Sequence, residues 1–473
     1  MLFSSTVFLF LFLPIILGVY FVLPRVLRNT WLLLASLFFY AWGEKGFVLV
    51  MLASIGMNYA FGVLVDVFRK RGAKSVLVVS VVANLGLLIC YKYANLLANT
   101  FNTVFTPWLL PSWNLDPVHL PIGISFFTFQ AMSYVIDVYR GITKAQRNPI
   151  NIALYISLFP QLIAGPIINY HDVAKQIISR TIGLQDFAYG VRRFVMGLAK
   201  KVLIANTLAE VADSLFAIPA GNVSTSLAWL GIVCYALQIY FDFSGYSDMA
   251  VGLGKMFGFT FMENFNYPYI SRSIREFWRR WHISLSSWFR DYVYFPLGGN
   301  RCAPVRNYFN LITVFFLCGL WHGASWSFVV WGLFHGVFLV LERLRPFQWL
   351  NGMWRPLQHA YTLLVVLVGW VFFRVEHLPD ALLWLRAMAG FGGDPLQLEV
   401  PAFYINRIGA LALLAGIIIS TPVFQALVSK CGKPGWYSVP LGILRCVGII
   451  LLFVLCAMQL AAGTYNPFIY FRF

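Results

Sequence analysis

Apolar segments recur along the whole chain and constrain its fold more than any other feature. About 20 apolar residues in a helix span the hydrocarbon core of a membrane, so 473 residues allow roughly 10–13 helices. Several segments are short or contain glycine and proline, which predicts tilted and re-entrant helices around a central funnel. The predicted fold class is an all-α polytopic membrane protein. The segments are 7–24, 31–43, 47–67, 75–93, 118–138, 150–168, 187–206, 226–241, 308–320, 325–341, 360–373, 408–428 and 440–461.

The composition excludes the soluble classes of protein. Only 11% of the residues are charged and 60% are hydrophobic, whereas soluble domains carry about 25% charged residues. The net charge is +17, from 35 Lys and Arg against 18 Asp and Glu. On a chain of apolar spans, such an excess indicates cytoplasmic loops that orient the protein, so membrane lipids rather than nucleic acid are the expected surroundings.

Basic clusters between the spans predict the topology. They lie at 69–74, 140–147 and 343–345, and the first two fit alternate crossings from an N-terminus outside the cell. The first span is expected to be retained, because residues 1–6 lack the cationic stretch of a secretory signal. No long polar stretch and no internal repeat is visible, so we expect one transmembrane domain over 1–473.

Several types of catalytic and metal-binding site find no support in the sequence. None of the seven cysteines forms a Cys-x-x-Cys pair, and we expect neither a metal site nor a disulfide framework. Residues 245–249 lack the last glycine of a nucleophile elbow, and residues 252–255 lack the spacing of a phosphate loop. What remains is chemistry based on a histidine base, without a nucleophile from the protein.

The segment 270–306 is the most polar part of the chain, with seven arginines and no lysine. On one helix over 273–292, two faces separate, which is typical of a helix at the membrane–water interface. The arginines suit either lipid headgroups or the phosphates of a coenzyme A thioester. The aromatic face is Ile274, Trp278, Trp281, Leu285, Trp288 and Tyr292, and the cationic face is Arg275, Arg279, His282, Ser286 and Arg290.

Three of the seven histidines lie in or near apolar runs. An ionisable side chain at membrane depth is a functional candidate, and histidine exchanges a proton near neutral pH. For each of these histidines, a hydrogen bond between helices is the alternative interpretation. His322 is favoured over His335, because Gly319 and Gly323 flank it and allow close approach of a substrate or of another backbone. His282 belongs to the cationic face.

Five stretches of the chain together resemble the membrane-bound O-acyltransferase family. The most specific are Trp-Arg-Arg-Trp-His at 278–282 and Leu-Trp-His-Gly at 320–323. The likeness runs over nearly the whole chain, although 390–440 matches nothing in it. The five stretches are 3–14, 120–126, 240–250, 276–286 and 319–324.

The resemblance implies a ring of tilted helices around a narrow funnel, with the invariant histidine of the family at His322 and its second motif histidine at His282. It also implies transfer of an acyl group from a cytoplasmic donor, here expected to be acetyl-coenzyme A, to a hydroxyl group. In the branch that acetylates exopolysaccharides, the acetyl group crosses the bacterial inner membrane to periplasmic SGNH-type acetyltransferases, which have a serine nucleophile. Alginate is the first expected polymer, and acetylated cellulose or another polymer is the alternative.

Each candidate residue then receives an expected role. His322 is the expected general base, and His282 is expected to position the acceptor or the thioester carbonyl. A covalently acetylated histidine is the less favoured variant. Two other classes stay open: a transporter that uses the histidines as a proton relay, and a docking subunit without catalysis of its own. The expected donor-binding residues are Arg275, Trp278, Arg279 and Arg280.

Overall fold

A computed structural model describes residues 1–105, 112–113, 115–393, 401–423, 426, 438–463, 465–467 and 469. Within these ranges the chain forms helices and connecting turns, without a β-strand. The all-α class predicted from the sequence is confirmed. Cys431 and a large part of region 390–440 lie outside the described residues.

Five helical stretches of the described chain are long and apolar enough to cross a membrane. Three shorter apolar helices accompany them, and the short elements that the sequence predicted are therefore present. The protein is a multi-pass membrane protein, and its number of crossings stays a prediction. The five stretches are Arg25–Val67, Ala73–Phe105, Thr225–Met256, Arg355–Arg374 and Gly442–Ala461, and the shorter helices are Phe8–Val22, Trp326–Leu341 and Arg407–Ile419.

The chain divides into two compact units. The first comprises Met1–Val191 and Ala250–Met262, and the second comprises Arg192–Met249 and Glu263–Phe473.

In chain order the helices are α1 (Leu13–Val22), α2 (Arg28–Glu44), α3 (Val48–Val67), α4 (Ala73–Leu88), α5 (Ala94–Phe105), α6 (Ile124–Arg140), α7 (Pro149–Ser157), α8 (Phe159–Leu162), α9 (Tyr170–Ile178), α10 (Leu184–Ala199), α11 (Asn206–Phe216), α12 (Thr225–Met256), α13 (Ile274–Arg280), α14 (Ile283–Phe289), α15 (Pro304–His322), α16 (Trp326–Leu341), α17 (Arg355–Arg374), α18 (Leu378–Arg386), α19 (Arg407–Ile419) and α20 (Ser438–Ala461).

The first unit has an aromatic core. Helix α3 packs against α4 and α6, and α2 packs against α7. Phe3, Phe8, Phe39 and Phe159 are fully buried. The ring centroids of Phe3 and Phe8 are 4.9 Å apart, and those of Phe39 and Phe159 are 5.5 Å apart. Such tilted ring pairs add a specific attraction to the burial of large apolar surfaces.

Helix α12 is longer than the apolar segment 226–241 indicates. It continues to Met256 because the acidic side chains beyond that segment find cationic partners. Asp248 accepts hydrogen bonds from Nε of Arg193 at 2.9 Å and from Nζ of Lys200 at 2.6 Å. A buried carboxylate is tolerated in a helix when it is paired in this way.

A second ion pair in the second unit is more deeply buried and contacts Pro467 and Ile469. Nζ of Lys201 lies 2.7 Å from Oδ1 of Asp242, and the two side chains are only 2% and 3% exposed. Oδ2 of Asp242 accepts the backbone N–H of Ile469 at 3.0 Å, and Lys201 donates to the backbone oxygen of Pro467. These additional hydrogen bonds compensate the desolvation of the two charges.

Candidate active site

His322 is the last residue of α15, where this helix packs against α16. The two helices approach closely because Gly319 and Gly332 face each other: a Cβ on Gly332 would lie 3.0 Å from the Cα of Gly319. Gly323 leaves room for the ring of Phe328, with which a Cβ would collide. The glycines that flank His322 therefore accommodate other atoms of the protein. The sequence had left open whether they make room for a substrate or for another part of the chain.

His282 lies at a break between two short helices, so the prediction of one helix over 273–292 is wrong. Helix α13 ends at Arg280 and α14 begins at Ile283. Between them, His282 has φ 44° and ψ 55°, a left-handed conformation that is uncommon outside glycine. The aromatic face persists across the break and is buried in protein, as its members Ile274, Trp278, Trp281, Leu285 and Trp288 show.

Asn264 orients the ring of His282. Its Oδ1 lies 3.2 Å from Nδ1 of His282 and accepts hydrogen bonds from the backbone N–H and the hydroxyl of Ser284, at 3.1 and 2.9 Å. Because Oδ1 only accepts, this geometry assigns the proton of the neutral ring to Nδ1 and the lone pair to Nε2. Burial lowers the pKa of His282 to about 3, which keeps the ring neutral near pH 7.

The rings of His282 and His322 lie close together, with their centroids 6.4 Å apart. Both side chains are buried. The ring of Trp321 contacts both, at 5.9 Å from His282 and 5.0 Å from His322. Trp331 and Phe373 add an aromatic wall at 4.9 and 5.2 Å from His322. The structure thus brings together the two histidines that the sequence selected as catalytic candidates.

His335 is a third buried histidine, and aromatic rings surround it. It stacks nearly parallel to Phe277, with 9° between the ring planes, and meets Trp278 and Trp331 edge to face at 5.2 and 5.3 Å. Neither of its ring nitrogens has a hydrogen-bond partner among the described residues. For this histidine, ring packing takes the place of the hydrogen bond between helices that was the alternative interpretation.

A cavity of about 480 Å³ lies beside α13, α14 and α15. A largely apolar wall with a few charged groups is the usual form of a small-molecule site. Four arginines line this cavity together with aromatic and aliphatic side chains. The arginines are Arg275, Arg279, Arg290 and Arg343, and the apolar wall includes Trp278, Phe289, Phe315 and Leu339.

Three of the four predicted donor-binding residues, Arg275, Trp278 and Arg279, line this cavity. The structure does not bring Arg280 to it. The guanidinium of Arg280 instead pairs with Glu276 at 2.8 Å and donates to the backbone oxygen of Asn266. Arg279 and Arg280 are consecutive residues of α13, so their side chains leave the helix in directions about 100° apart, and only Arg279 lines the cavity.

Sequence reasoning assigned no donor-binding role to Arg290 and Arg343. Arg290 lay on the predicted cationic face, so its position was signalled by helical spacing. Arg343 comes from the end of α16, and its place in a basic cluster pointed to topology instead. Within the described chain, Arg290 pairs with Asp291 at 2.7 Å and Arg343 donates to the side-chain oxygen of Asn307. A cavity assembled from distant helices leaves no local pattern.

Two of the arginines that line the cavity have no salt-bridge partner in the described chain. Neither Arg275 nor Arg279 forms a salt bridge with a carboxylate in the part of the chain that the structure describes. Burial and the nearby charge of Arg343 lower the pKa of Arg275. An anionic ligand between these guanidinium groups would relieve their repulsion, and the planar fork of arginine is suited to phosphate.

One face of α15 connects the cavity to the histidine pair. Leu311, Phe315 and Cys318 line the cavity, and His322 follows Cys318 by one helical turn. Side chains three or four residues apart lie on the same face of a helix. The cavity lining therefore ends one helical turn from His322, on the same face of α15.

The sequence model of the membrane-bound O-acyltransferase family matches residues 140–349, which include the histidine pair and the lining of the cavity. A protein of Pseudomonas putida named probable alginate O-acetylase AlgI is 44% identical, and the match covers 100% of both chains. The chain belongs to the membrane-bound O-acyltransferase family.

Two further relatives widen the comparison. A protein of Azotobacter vinelandii, also named probable alginate O-acetylase AlgI, is 42% identical over 100% of both chains. The peptidoglycan O-acetyltransferase of Helicobacter pylori is 34% identical over 100% of this chain and 98% of that protein. As a membrane-bound O-acyltransferase of several membrane helices, the protein is an acyltransferase, and the resemblance drawn from its motifs is confirmed.

Proposed function

We propose that this membrane-bound O-acyltransferase transfers acetyl groups from acetyl-coenzyme A at the cytoplasmic side of the bacterial inner membrane for the O-acetylation of a secreted exopolysaccharide. Alginate is the proposed polymer, because the full-length relatives in Pseudomonas putida and Azotobacter vinelandii carry that polymer in their names. A more distant relative is named for peptidoglycan, so polymer O-acetylation is the common element.

The observation that carries the proposal is the buried pair of His282 and His322, whose ring centroids are 6.4 Å apart. In the proposed reaction, His322 takes the proton of an acceptor hydroxyl, and the oxygen attacks the carbonyl carbon of the acetyl thioester. The carbon–sulfur bond breaks, and the proton returns from His322 to the sulfur of coenzyme A. The products are an O-acetyl ester and coenzyme A, and His282 positions the acceptor or the carbonyl.

Coenzyme A fits the chemistry of the arginine-lined cavity. Its phosphates suit the guanidinium groups of Arg275, Arg279 and Arg343, and its less polar pantetheine arm suits the wall that α15 provides. The cavity wall ends one turn before His322. The thioester at the end of that arm is then the part of the donor that approaches the base.

The proposed partners are periplasmic acetyltransferases of the SGNH type, which receive the acetyl group and pass it to the polymer. Sequence relatives named for polymer acetylation support a membrane component of such a system. A transporter of an acetyl carrier, or a docking subunit without catalysis, would not release coenzyme A from acetyl-coenzyme A. That release is therefore the reaction to measure.

Replacement of His322 by alanine tests the proposal. With the purified full chain in lipid vesicles, we expect His322→Ala to slow the release of coenzyme A by about 10²–10⁴-fold, the usual contribution of general acid–base catalysis. His377→Ala is the matched control, because His377 is exposed. Normal polymer acetylation in cells whose membranes contain the His322→Ala protein would refute the role of His322.

A further inference from the structure

Glu342 follows the last residue of α16 and reaches the beginning of α13. Its Oε1 accepts the backbone N–H of Ile274 at 2.6 Å, and its Oε2 accepts that of Arg275 at 3.1 Å. The hydroxyl of Tyr361 on α17 lies 3.4 Å from Oε1. One carboxylate therefore connects the end of α16 and the side of α17 with the start of α13.

The hydrogen bonds of α13 show how much this carboxylate contributes. A helix begins with four N–H groups that have no partner within it. In α13, the hydroxyl of Ser273 accepts the N–H of Glu276 at 3.1 Å, and the first bond of the helix itself runs from the N–H of Phe277 to the backbone oxygen of Ser273 at 2.9 Å. Glu342 accepts two more of the N–H groups at this end, those of Ile274 and Arg275, and its negative charge is favourable there.

Helix α13 carries the residues that make the cavity cationic. Arg275 and Arg279 project from it into the cavity, and His282 lies directly after it at the break before α14. The helix has only seven residues, so its own hydrogen bonds hold it weakly. Its position therefore depends on the packing of its buried apolar face and on the contacts at its ends, and Glu342 provides the contact at the first end.

We propose that Glu342 is a positioning residue for the acyl donor: its carboxylate fixes the start of α13, so that Arg275 and Arg279 face the donor cavity. The inference deepens the proposed function and rests on it, because the donor is taken to be a coenzyme A thioester. Glu342 does not line the cavity itself, so it acts on the donor through α13.

Substitution of Glu342 by glutamine and by aspartate separates the effect of its charge from the effect of its side-chain length. Glutamine keeps the length but has one acceptor oxygen, and its NH₂ group would face a backbone N–H that needs an acceptor. Aspartate keeps two acceptor oxygens on a shorter side chain. We expect Glu342→Gln to be the more disruptive variant and Glu342→Asp to retain part of the function. The matched control is Glu376→Gln, because Glu376 is exposed and lies outside the cavity lining.

The experiment combines two measurements on the purified full chain. The first is the Kd of coenzyme A, which we expect Glu342→Gln to raise about tenfold, the scale of a lost charge-assisted hydrogen bond. In the assay of coenzyme A release, the KM for acetyl-coenzyme A should rise more than kcat falls. The second is backbone hydrogen exchange, in which Ile274 and Arg275 should exchange faster in Glu342→Gln, whereas α15 keeps its protection.

Unchanged exchange at Ile274 and Arg275 in Glu342→Gln refutes the positioning role, as does an equal loss of protection in α15, which would indicate general unfolding. A normal Kd of coenzyme A together with faster exchange in α13 would show that the start of α13 does not affect donor binding, and this result also refutes the inference. If the unchanged protein does not bind coenzyme A, the proposed donor is wrong, and the exchange data alone decide whether Glu342 holds α13.

Discussion

At the scale of single residues, Asn264 alone makes several of the hydrogen bonds around His282. One side-chain oxygen contacts the ring of His282 and accepts the backbone N–H and the hydroxyl of Ser284. The same residue accepts the N–H of Ile283 with its backbone oxygen at 2.9 Å. The side-chain and backbone oxygens of Asn264 therefore hold the left-handed backbone at His282, and the side-chain oxygen also determines the tautomer of the ring.

Replacement of Asn264 by alanine should disturb the reaction without removing either histidine. Buried donors that lose their acceptor cost about 1–3 kcal/mol, which corresponds to about 5–150-fold in kcat/KM for coenzyme A release if the whole cost falls on the transition state. Ser284→Ala is the matched control, because it removes one donor and leaves the contact between Asn264 and His282 in place. Equal activities of Asn264→Ala and the unchanged protein would argue against an orienting role.

Single residues also show where the sequence was informative. His322 was preferred over His335 because of its flanking glycines, and the structure gives those glycines a packing role. The pairing of His322 with His282 came from the family resemblance, since spacing alone does not bring them together. Asn264 carried no local signal at all, because its partner is on the other side of a turn and a helix.

At the scale of elements, the contact between α15 and α16 determines the position of His322. The contact depends on the absence of side chains at two glycines: a Cβ on Gly332 would collide with the backbone oxygen of Phe315, and one on Gly319 with that of Phe328. Protein interiors are packed too densely to absorb such collisions without a shift of the helices. A shift of α15 would move His322 relative to His282.

Replacement of Gly332 by alanine should therefore destabilise the protein. Overpacking in a close contact costs about 1–3 kcal/mol, and the thermal unfolding temperature in detergent should fall accordingly. Gly448→Ala is the matched control, because Gly448 lies within α20 and has open space around its Cα. That variant should be neutral or slightly stabilising, since alanine favours helices more than glycine does. A fall of similar size in both variants would exclude the packing explanation.

Element boundaries were harder to predict than the existence of the elements. The sequence indicated one helix over 273–292, because both faces keep a helical period through the break at His282. The apolar segment 226–241 stops where α12 continues, because Asp242 and Asp248 interrupt the apolar pattern. Their ion pairs with distant lysines and an arginine overcome that interruption, and such pairs are invisible to a local pattern.

At the scale of the whole molecule, the excess of 35 basic over 18 acidic residues has more than one purpose. Some of the cationic groups pair with buried carboxylates, as Arg193 and Lys200 do with Asp248. Arg275 and Arg279 instead line the cavity and form no salt bridge within the described chain. A count of charges does not separate these purposes, because the partners of each cationic group are defined only by the fold.

A comparison of two arginine variants tests whether the cavity arginines and the exposed arginines have different roles. Arg279→Ala should raise the KM for acetyl-coenzyme A about tenfold, because a hydrogen bond to a charged group contributes about 1.5–3 kcal/mol. The variant should also weaken the dependence of KM on salt. Arg306→Ala, which removes an exposed arginine outside the cavity lining, should leave both quantities unchanged. Equal effects of the two variants would mean that general surface charge attracts the donor.

The ion pair of Lys201 and Asp242 also bears on the order in which parts of the protein assemble during its synthesis. Asp242 accepts the backbone N–H of Ile469, which follows it by 227 residues. A ribosome adds about 5–20 residues per second, so about 10–45 s pass between the synthesis of the two residues. Lys201 precedes Asp242, and the two charges can pair as soon as α12 enters the membrane. The ion pair can therefore neutralise the polar centre of this helix before its backbone partners, Pro467 and Ile469, have been synthesised.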